Sequence, residues 1–206
     1  MQTPLFQEST SRADPALRAM FEARKRVFVD LLKWDVPVLA GKYELDQFDT
    51  PDATYLILCD DPAGHRASAR PLPTDSEHIL GDLYGSLCDG PLPTGPHVRE
   101  ITRFCLEPSL GAAERRHVRN QLVTALVEYA LQTGITDYTG VADRAWFEQI
   151  MVFGWACSPL GAGRRIDGAE LVGLHIQIDA DTPAALRRAG IYSLPTCRLA
   201  ASGGLQ

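Results

Sequence analysis

Apolar residues first recur at helical spacing in Leu17, Met20, Phe21, Val27, Phe28 and Leu31. They follow Asp14-Pro15, where Asp suits the cap and Pro the first helical position. The pattern predicts a helix to about Trp34, and the same spacing puts Arg24 on or beside its buried face. The stretch Tyr43-Glu44-Leu45-Asp46-Gln47-Phe48-Asp49-Thr50-Pro51 is too irregular for a helix and too acidic for a central strand, and reads as a loop. Residues 54–59 and 65–70, joined by a turn at 60–64, predict a hairpin. Pro71 and Pro73 should end its second strand, because proline donates nothing to a ladder, and so leave Arg70 at the exit.

Residues 98–104 predict a strand, and residues 112–133 a helix with Val118, Leu122, Ala125, Leu126 and Tyr129 inward and a stop at Gly134. A strand at 136–142, a helix at 144–153 ended by Gly154, a strand at 170–178 and a short helix at 183–189 follow. Residues 201–206 read as a frayed tail. Strands and helices interleave without repeats, which predicts an α/β fold with a mixed sheet, and 206 residues suit one domain.

A 45% hydrophobic, 22% charged chain is ordinary for a globular protein. No apolar run is long enough to cross a membrane and the N-terminus is polar, so the expected location is cytoplasmic. Five cysteines, Cys59, Cys88, Cys105, Cys157 and Cys197, are scattered and read as buried free thiols. The five histidines show no metal-ligand spacing, so no metal is expected. The net charge of −6 argues against nonspecific nucleic-acid binding.

The segment Val98-Arg99-Glu100-Ile101-Thr102-Arg103-Phe104 is the chemical anomaly. Its residue types belong in a buried strand, yet three charges interrupt it, and desolvating a charge is costly unless a site needs it. Arg24, Asp46, Asp49 and Arg70 pose the same question. Singly, each has a structural explanation: a snorkelling arginine, a solvated loop or an ordinary ion pair.

Together, Arg24-x-x-Val27-Phe28, Trp34, Asp46-x-x-Asp49, Arg70-Pro71-Leu72-Pro73-Thr74 and Glu100-Ile101-Thr102-Arg103-Phe104 occur in the order and spacing of a known family. Over residues 20–155 the chain resembles the acyl-homoserine-lactone (autoinducer) synthases of the LuxI type. The resemblance implies a GNAT-like mixed sheet flanked by helices on both faces, with a bulged or splayed central strand. It also implies N-acylation of S-adenosylmethionine by an acyl thioester, then lactonisation with release of methylthioadenosine, for quorum-sensing signal production. Both reactants are substrates, so no cofactor is expected.

The residue types suit that chemistry. Glu100 and Arg103 are the expected catalytic pair, Glu100 receiving the amine proton directly or through water. Asp46 and Asp49 can counter a cationic substrate, Phe28 and Trp34 offer π-faces to the sulfonium or adenine, and Arg24, Arg70 or Arg103 can grip its carboxylate. A regular strand would put Glu100 and Arg103 on opposite faces, so a bulge near Thr102 is expected. The acyl pocket is expected to use Thr102, Phe104, Gly140, Val141, Trp146, Phe147, Ile150 and Met151. In related synthases that prefer 3-oxo donors a Thr often stands four residues before the helix-opening Arg; counting back from Arg144 gives Gly140, which predicts a preference for acyl groups unsubstituted at C3. Thr139, one residue away, would restore the donor if that register slips.

Two departures stand out: Arg99 replaces a common Trp, and Thr102 a common Ser. Arg115, Arg116 and Arg119 share one helix face that suits an acidic acyl-carrier protein or the phosphates of coenzyme A, or is simply solvated. The rival readings are a GNAT acyltransferase acting on another amine and a non-catalytic adenosylmethionine- or lactone-binding homologue. The first usually has an Arg/Gln-x-x-Gly-x-Gly/Ala loop where this chain reads Glu107-Pro108-Ser109-Leu110-Gly111-Ala112-Ala113. The oligomeric state is not legible.

Overall fold

The first amphipathic helix changes its winding partway. In the computed structural model, which describes residues 6–8, 15–50, 53–60, 64–195 and 198–203, α1 (Pro15–Arg24) buries Leu17, Met20, Phe21 and Arg24. It continues as a π-helical turn, Lys25–Leu31, in which the Leu32 N–H reaches the Val27 carbonyl at 2.9 Å. Lys25 and Asp30, five residues apart, bridge the widened turn at 2.8 Å. The helix closes before Trp34 because Lys33 turns left-handed, with φ +59. Asp14, Pro51, residues 61–63, Cys197 and residues 204–206 lie outside the described residues.

The chain gathers into two compact units. The first takes residues up to Pro71, Arg103–Leu122 and those from Ser193 onward; the second takes Leu72–Thr102 and Val123–Tyr192.

In the first unit, β1 (Phe6–Glu8), β4 (Thr54–Cys59), β5 (His65–Pro73) and β11 (Arg198–Gly203) run in the order β1-β11-β4-β5. β1 is parallel to β11 and the other pairings are antiparallel. Tyr55, Leu56, Ile57, Leu58 and Cys59 are all buried, as an interior strand with both edges occupied requires. Phe21 of α1 meets the Tyr55 ring edge-on at 5.7 Å.

Three expectations change here. β5 runs through both prolines: its register with β4 extends from Cys59 opposite His65 to Leu56 opposite Ala69, so Pro71 and Pro73 lie past the paired stretch and forfeit no bond to β4. Tyr43–Glu44, read as loop, is a short strand (β3) paired with Val38–Leu39 (β2). Residues 201–203, read as frayed, complete β11 on the open edge of β4.

In the second unit, β6 (Val98–Leu106, whose residues from Arg103 on belong to the first unit), β7 (Asp137–Asp143), β10 (Ala169–Gln177) and β8 (Ala156–Pro159) follow in that order, and β9 (Arg164–Ile166) pairs with β10. β6 is parallel to β7; the other pairings are antiparallel. The helices α2 (Ile79–Leu83), α4 (Arg144–Met151) and α5 (Thr182–Arg188) belong here, while α3 (Ala112–Thr133) starts in the first unit and ends in the second. Asp143 caps α4 by accepting from the Trp146 N–H at 2.9 Å. The core includes Leu126, Ala130, Tyr138, Val172, Leu174 and Ile176, and the Tyr138 hydroxyl donates to the Leu126 carbonyl at 2.9 Å. The fold is a mixed sheet with flanking helices, and among the described residues no helix is long and apolar enough to cross a membrane.

Candidate active site

In the first unit, five of the predicted residues meet in a closed ring that alternates charge, and Glu44 completes it. Arg24 bridges Glu44 (2.5 Å) and Asp49 (2.8 Å). Arg70 bridges Asp49 (2.7 Å) and Asp46 (2.7 Å). Arg103 bridges Asp46 (2.6 Å) and returns to Glu44 (3.0 Å). Three guanidiniums and three carboxylates thus neutralise one another out of water, the geometry in which buried charge is tolerable. The Tyr55 hydroxyl also donates to Asp49 at 2.9 Å, and burial followed by the Asp49 charge pushes its phenol well above the ordinary range.

Electrostatics follow from this closure. Burial alone would raise the Asp49 carboxyl, but Arg24 and Arg70 hold it well below the usual carboxylate range. Burial pulls the Arg24 guanidinium down, and Asp49 with Glu44 more than reverses that. Asp46 and Asp49, expected to face a cationic substrate, are instead taken up by arginines and by backbone N–H groups at Phe48 and Asp46. Losing one partner would strand a buried charge, a cost of about 3–5 kcal/mol.

Arg103 enters the ring through an irregularity in β6. Burial alternates from Val98 to Thr102, then breaks as Arg103 and Phe104 are both half-exposed. Arg103 has φ +51, a left-handed conformation that a non-glycine residue adopts only when its surroundings impose it. The expected departure from a regular strand thus falls at Arg103, one residue past Thr102. β6 also parts from β7: their register covers Val98 to Glu100 opposite Asp137 to Thr139. Beside the ring, Phe28 and Trp34 stack at 4.8 Å, and the Arg103 guanidinium lies 5.5 Å and 5.8 Å from their ring centres. Phe28 is buried while Trp34 is 46% exposed, so the stack has an open side.

The second unit presents a different polar group. Glu100 is fully buried and accepts the Leu80 N–H of α2 at 2.9 Å. Its partner across the β6–β7 register is Thr139, and facing residues of a parallel pair project to the same side. The Thr139 hydroxyl is buried without a hydrogen-bond partner among the described residues. This revises the acyl-pocket expectation. Gly140 shares the side of Tyr138, which bonds to α3, and an added Cβ there would lie 3.1 Å from the Ile101 carbonyl. Thr139, and not Gly140, stands on the Glu100 side of β7. Thr102, Phe147 and Ile150 are buried, Phe104, Val141 and Trp146 half-buried, and Met151 is exposed on the outer side of α4.

Of the basic residues on α3, Arg116 is exposed, Arg115 donates to the Glu107 carbonyl at 3.5 Å, and Arg119 to the Asn120 side chain at 2.8 Å. The loop after β6 is acidic at its start. Glu107 binds Arg26 at 2.7 Å, and together with Asp30, Leu31, Pro108 and Ser109 they line a groove of about 500 Å³.

Comparison with known proteins places these features. The fold is shared with a protein described as an N-acetyltransferase from Lactobacillus plantarum, which superposes with a TM-score of 0.57 at 23% identity, covering 81% of this chain and 94% of its own. The chain belongs to the autoinducer synthase family, whose model matches residues 8–186. It is 34% identical to an acyl-homoserine-lactone synthase of Rhizobium etli over 84% of this chain and 82% of the relative. It also matches TofI, solved in a ternary complex with an inhibitor and MTA, with a TM-score of 0.72 at 30% identity over 86% of this chain and 92% of TofI. The chain is an enzyme, an acyltransferase.

Proposed function

We propose that this chain, as an acyl-homoserine-lactone synthase, couples an acyl thioester to the amine of S-adenosylmethionine and closes the product to a lactone. The observation that carries the reading is Arg103, held by the ring against the stacked Phe28–Trp34 pair. A cation beside open π-faces suits a ligand that joins a carboxylate to an adenosyl sulfonium.

In the first step the amine lone pair attacks the thioester carbonyl, the carbon–sulfur bond breaks to release the thiolate, and the amine proton passes to Glu100 directly or through water, from which it can return to the leaving sulfur. The Leu80 N–H, already bonded to Glu100, keeps that carboxylate oriented. In the second step the substrate carboxylate attacks its own γ-carbon, the carbon–sulfur bond breaks, and the sulfonium leaves as neutral methylthioadenosine. Arg24, Asp46, Asp49, Arg70 and Glu44 position Arg103 and keep its surroundings rigid. Neither step needs a metal or a cofactor, and a cytoplasmic enzyme has both substrates at hand.

Thr139 supports a donor carrying oxygen at C3, since its buried hydroxyl lies on the Glu100 side with no partner among the described residues. This replaces the expectation of unsubstituted acyl groups drawn from Gly140. The donor is read as a carrier protein: Arg116 gives α3 an exposed basic contact, while in the groove after β6 Glu107 and Asp30 outnumber Arg26, which is itself paired with Glu107. The test is mass spectrometry of purified enzyme with adenosylmethionine and matched 3-oxo, 3-hydroxy and unsubstituted thioesters of carrier protein and coenzyme A. Acyl-homoserine lactone with equimolar methylthioadenosine is expected, with 3-oxygenated carrier-protein donors in excess. Absence of lactone from every donor would sink the reading.

A further inference from the structure

The helix that bonds to Glu100 begins without an ordinary cap. α2 is five residues long, and its N-cap is His78, in an extended conformation at φ −150 and ψ 159. A Ser, Asp or Asn in that place would accept the N–H of the second or third helical residue. His78 makes no such bond, and the N–H of the second residue, Leu80, goes to Glu100 instead.

The imidazole is nevertheless close at hand. It is buried, and a Cβ added at Gly81, the third helical residue, would stand 2.7 Å from its Cε1 and 2.8 Å from its Nε2. The ring therefore fills the place of a side chain at residue 81. Its Nδ1 meets the Ser76 carbonyl at 2.8 Å; a carbonyl only accepts, so the proton sits on Nδ1 and the neutral ring keeps its lone pair on Nε2. That lone pair is buried at the start of α2 and takes no N–H among the described residues.

We propose that His78 is a positioning residue for Glu100: it occupies the cap of α2 without capping, which leaves the Leu80 N–H to the carboxylate, and Gly81 is the seat its ring requires. The proposal rests on the reading of Glu100 as proton acceptor. The first N–H groups of a helix have no partner within it, so a capping oxygen at residue 78 would compete with Glu100 for one of them. Gly81 has no positive φ, and glycine inside a helix weakens it relative to alanine, so room for the ring is what explains it. The turn is closed from elsewhere, by the His78 N–H donating to Asp82 at 2.6 Å and by the tether to Ser76. His78 thus acts through Leu80 and touches no substrate. A better-capped α2 would be the worse support for Glu100.

The experiment compares wild type with His78→Ser, His78→Phe and the double variant His78→Ser/Gly81→Ala in kcat, KM, melting temperature and the NMR shift of the Leu80 amide proton. His78→Ser supplies the missing oxygen, so kcat should fall roughly tenfold or more, as the loss of a hydrogen bond to a charged group implies. KM for adenosylmethionine should stay within about twofold, because the residues read as its site lie in the first unit. The Leu80 amide proton should move upfield as it exchanges a carboxylate for a hydroxyl. His78→Phe keeps a ring over Gly81 and offers no acceptor, so it should retain kcat to within about threefold. Removing a buried ring lowers stability in itself; in the double variant the alanine fills part of the seat and favours the helix, which should restore melting temperature while kcat stays low.

Wild-type kcat in folded His78→Ser, or a Leu80 resonance that stays in place, overturns the proposal. So does a double variant that regains kcat together with stability, or a folded His78→Phe as slow as His78→Ser. Glu100→Gln, assayed alongside, separates the two levels: near-normal turnover there removes Glu100 as proton acceptor and the proposal with it. A slow Glu100→Gln beside an unimpaired His78→Ser overturns the proposal alone.

Discussion

The two units treat buried polar groups in opposite ways. In the first, three arginines and three acids satisfy one another and enlist Tyr55 as well. In the second, Thr139 holds a buried hydroxyl with no hydrogen-bond partner among the described residues, on the side of a carboxylate that accepts an N–H from a short helix. A saturated network is a rigid support, because each member is over-determined by its neighbours. An unsatisfied group is a standing cost that a ligand can relieve. Charge density is therefore a poor guide to where chemistry happens: on the proposed mechanism the more charged region does the holding, and the sparser one contains the proton acceptor.

The comparison breaks most sharply at Glu100. Glu100→Gln keeps an oxygen for the Leu80 N–H but cannot take a proton, so lactone formation should fall by about 10²- to 10⁴-fold with an almost unchanged melting temperature. A large loss of stability would make Glu100 a structural residue. Asp49→Ala should do the reverse, costing about 3–5 kcal/mol of unfolding free energy because Arg24 and Arg70 lose a shared partner. Denaturant titration measures it, and a change below about 1 kcal/mol would show that the ring relaxes freely.

Acid separates the ring from its surroundings. The Asp49 carboxyl is depressed in the folded state, so the stability it confers is complete above its ordinary value near 4 and is lost only as pH falls through the lower folded value. His65 is buried and lowered to about 4 by desolvation, so the unfolded chain binds its proton first and stability declines from about pH 6.5 down to about 4. His65→Phe should flatten that upper window and leave the acid limb of the ring in place, as pH-dependent melting can show.

The smallest effect is expected at Thr139. Thr139→Val keeps the shape and removes a hydroxyl with no partner among the described residues, so stability should hold or rise by up to about 1 kcal/mol while preference for 3-oxygenated donors drops. A destabilised variant with unchanged donor preference would make Thr139 an ordinary structural residue.

Much of this was legible in the chain, for reasons that differ by residue. Arg24 declared itself by falling on an apolar helical face, and the charges of residues 98–104 foretold a strand that could not be regular. Glu44 was missed because the acidic stretch was read as a loop; in an extended segment Glu44 and Asp46 share a side, and testing for that period of two would have found it. The choice between Gly140 and Thr139 depended on a single position of register, and Tyr138 marks the side of β7 that Gly140 shares by reaching α3. The strand β11 carries no apolar alternation of its own, only small residues at its end, and its place is dictated by β4.

That last strand has a consequence for how the molecule comes into being. β4 spans residues 54–59 and β11 residues 198–203, so one edge of a central strand waits for a partner made long after it. As the chain emerges during synthesis, β4 offers an unpaired, strongly apolar edge until that partner arrives, and closing so long a loop is entropically slow. Truncation before Arg198 should therefore leave a nascent protein prone to associate through β4.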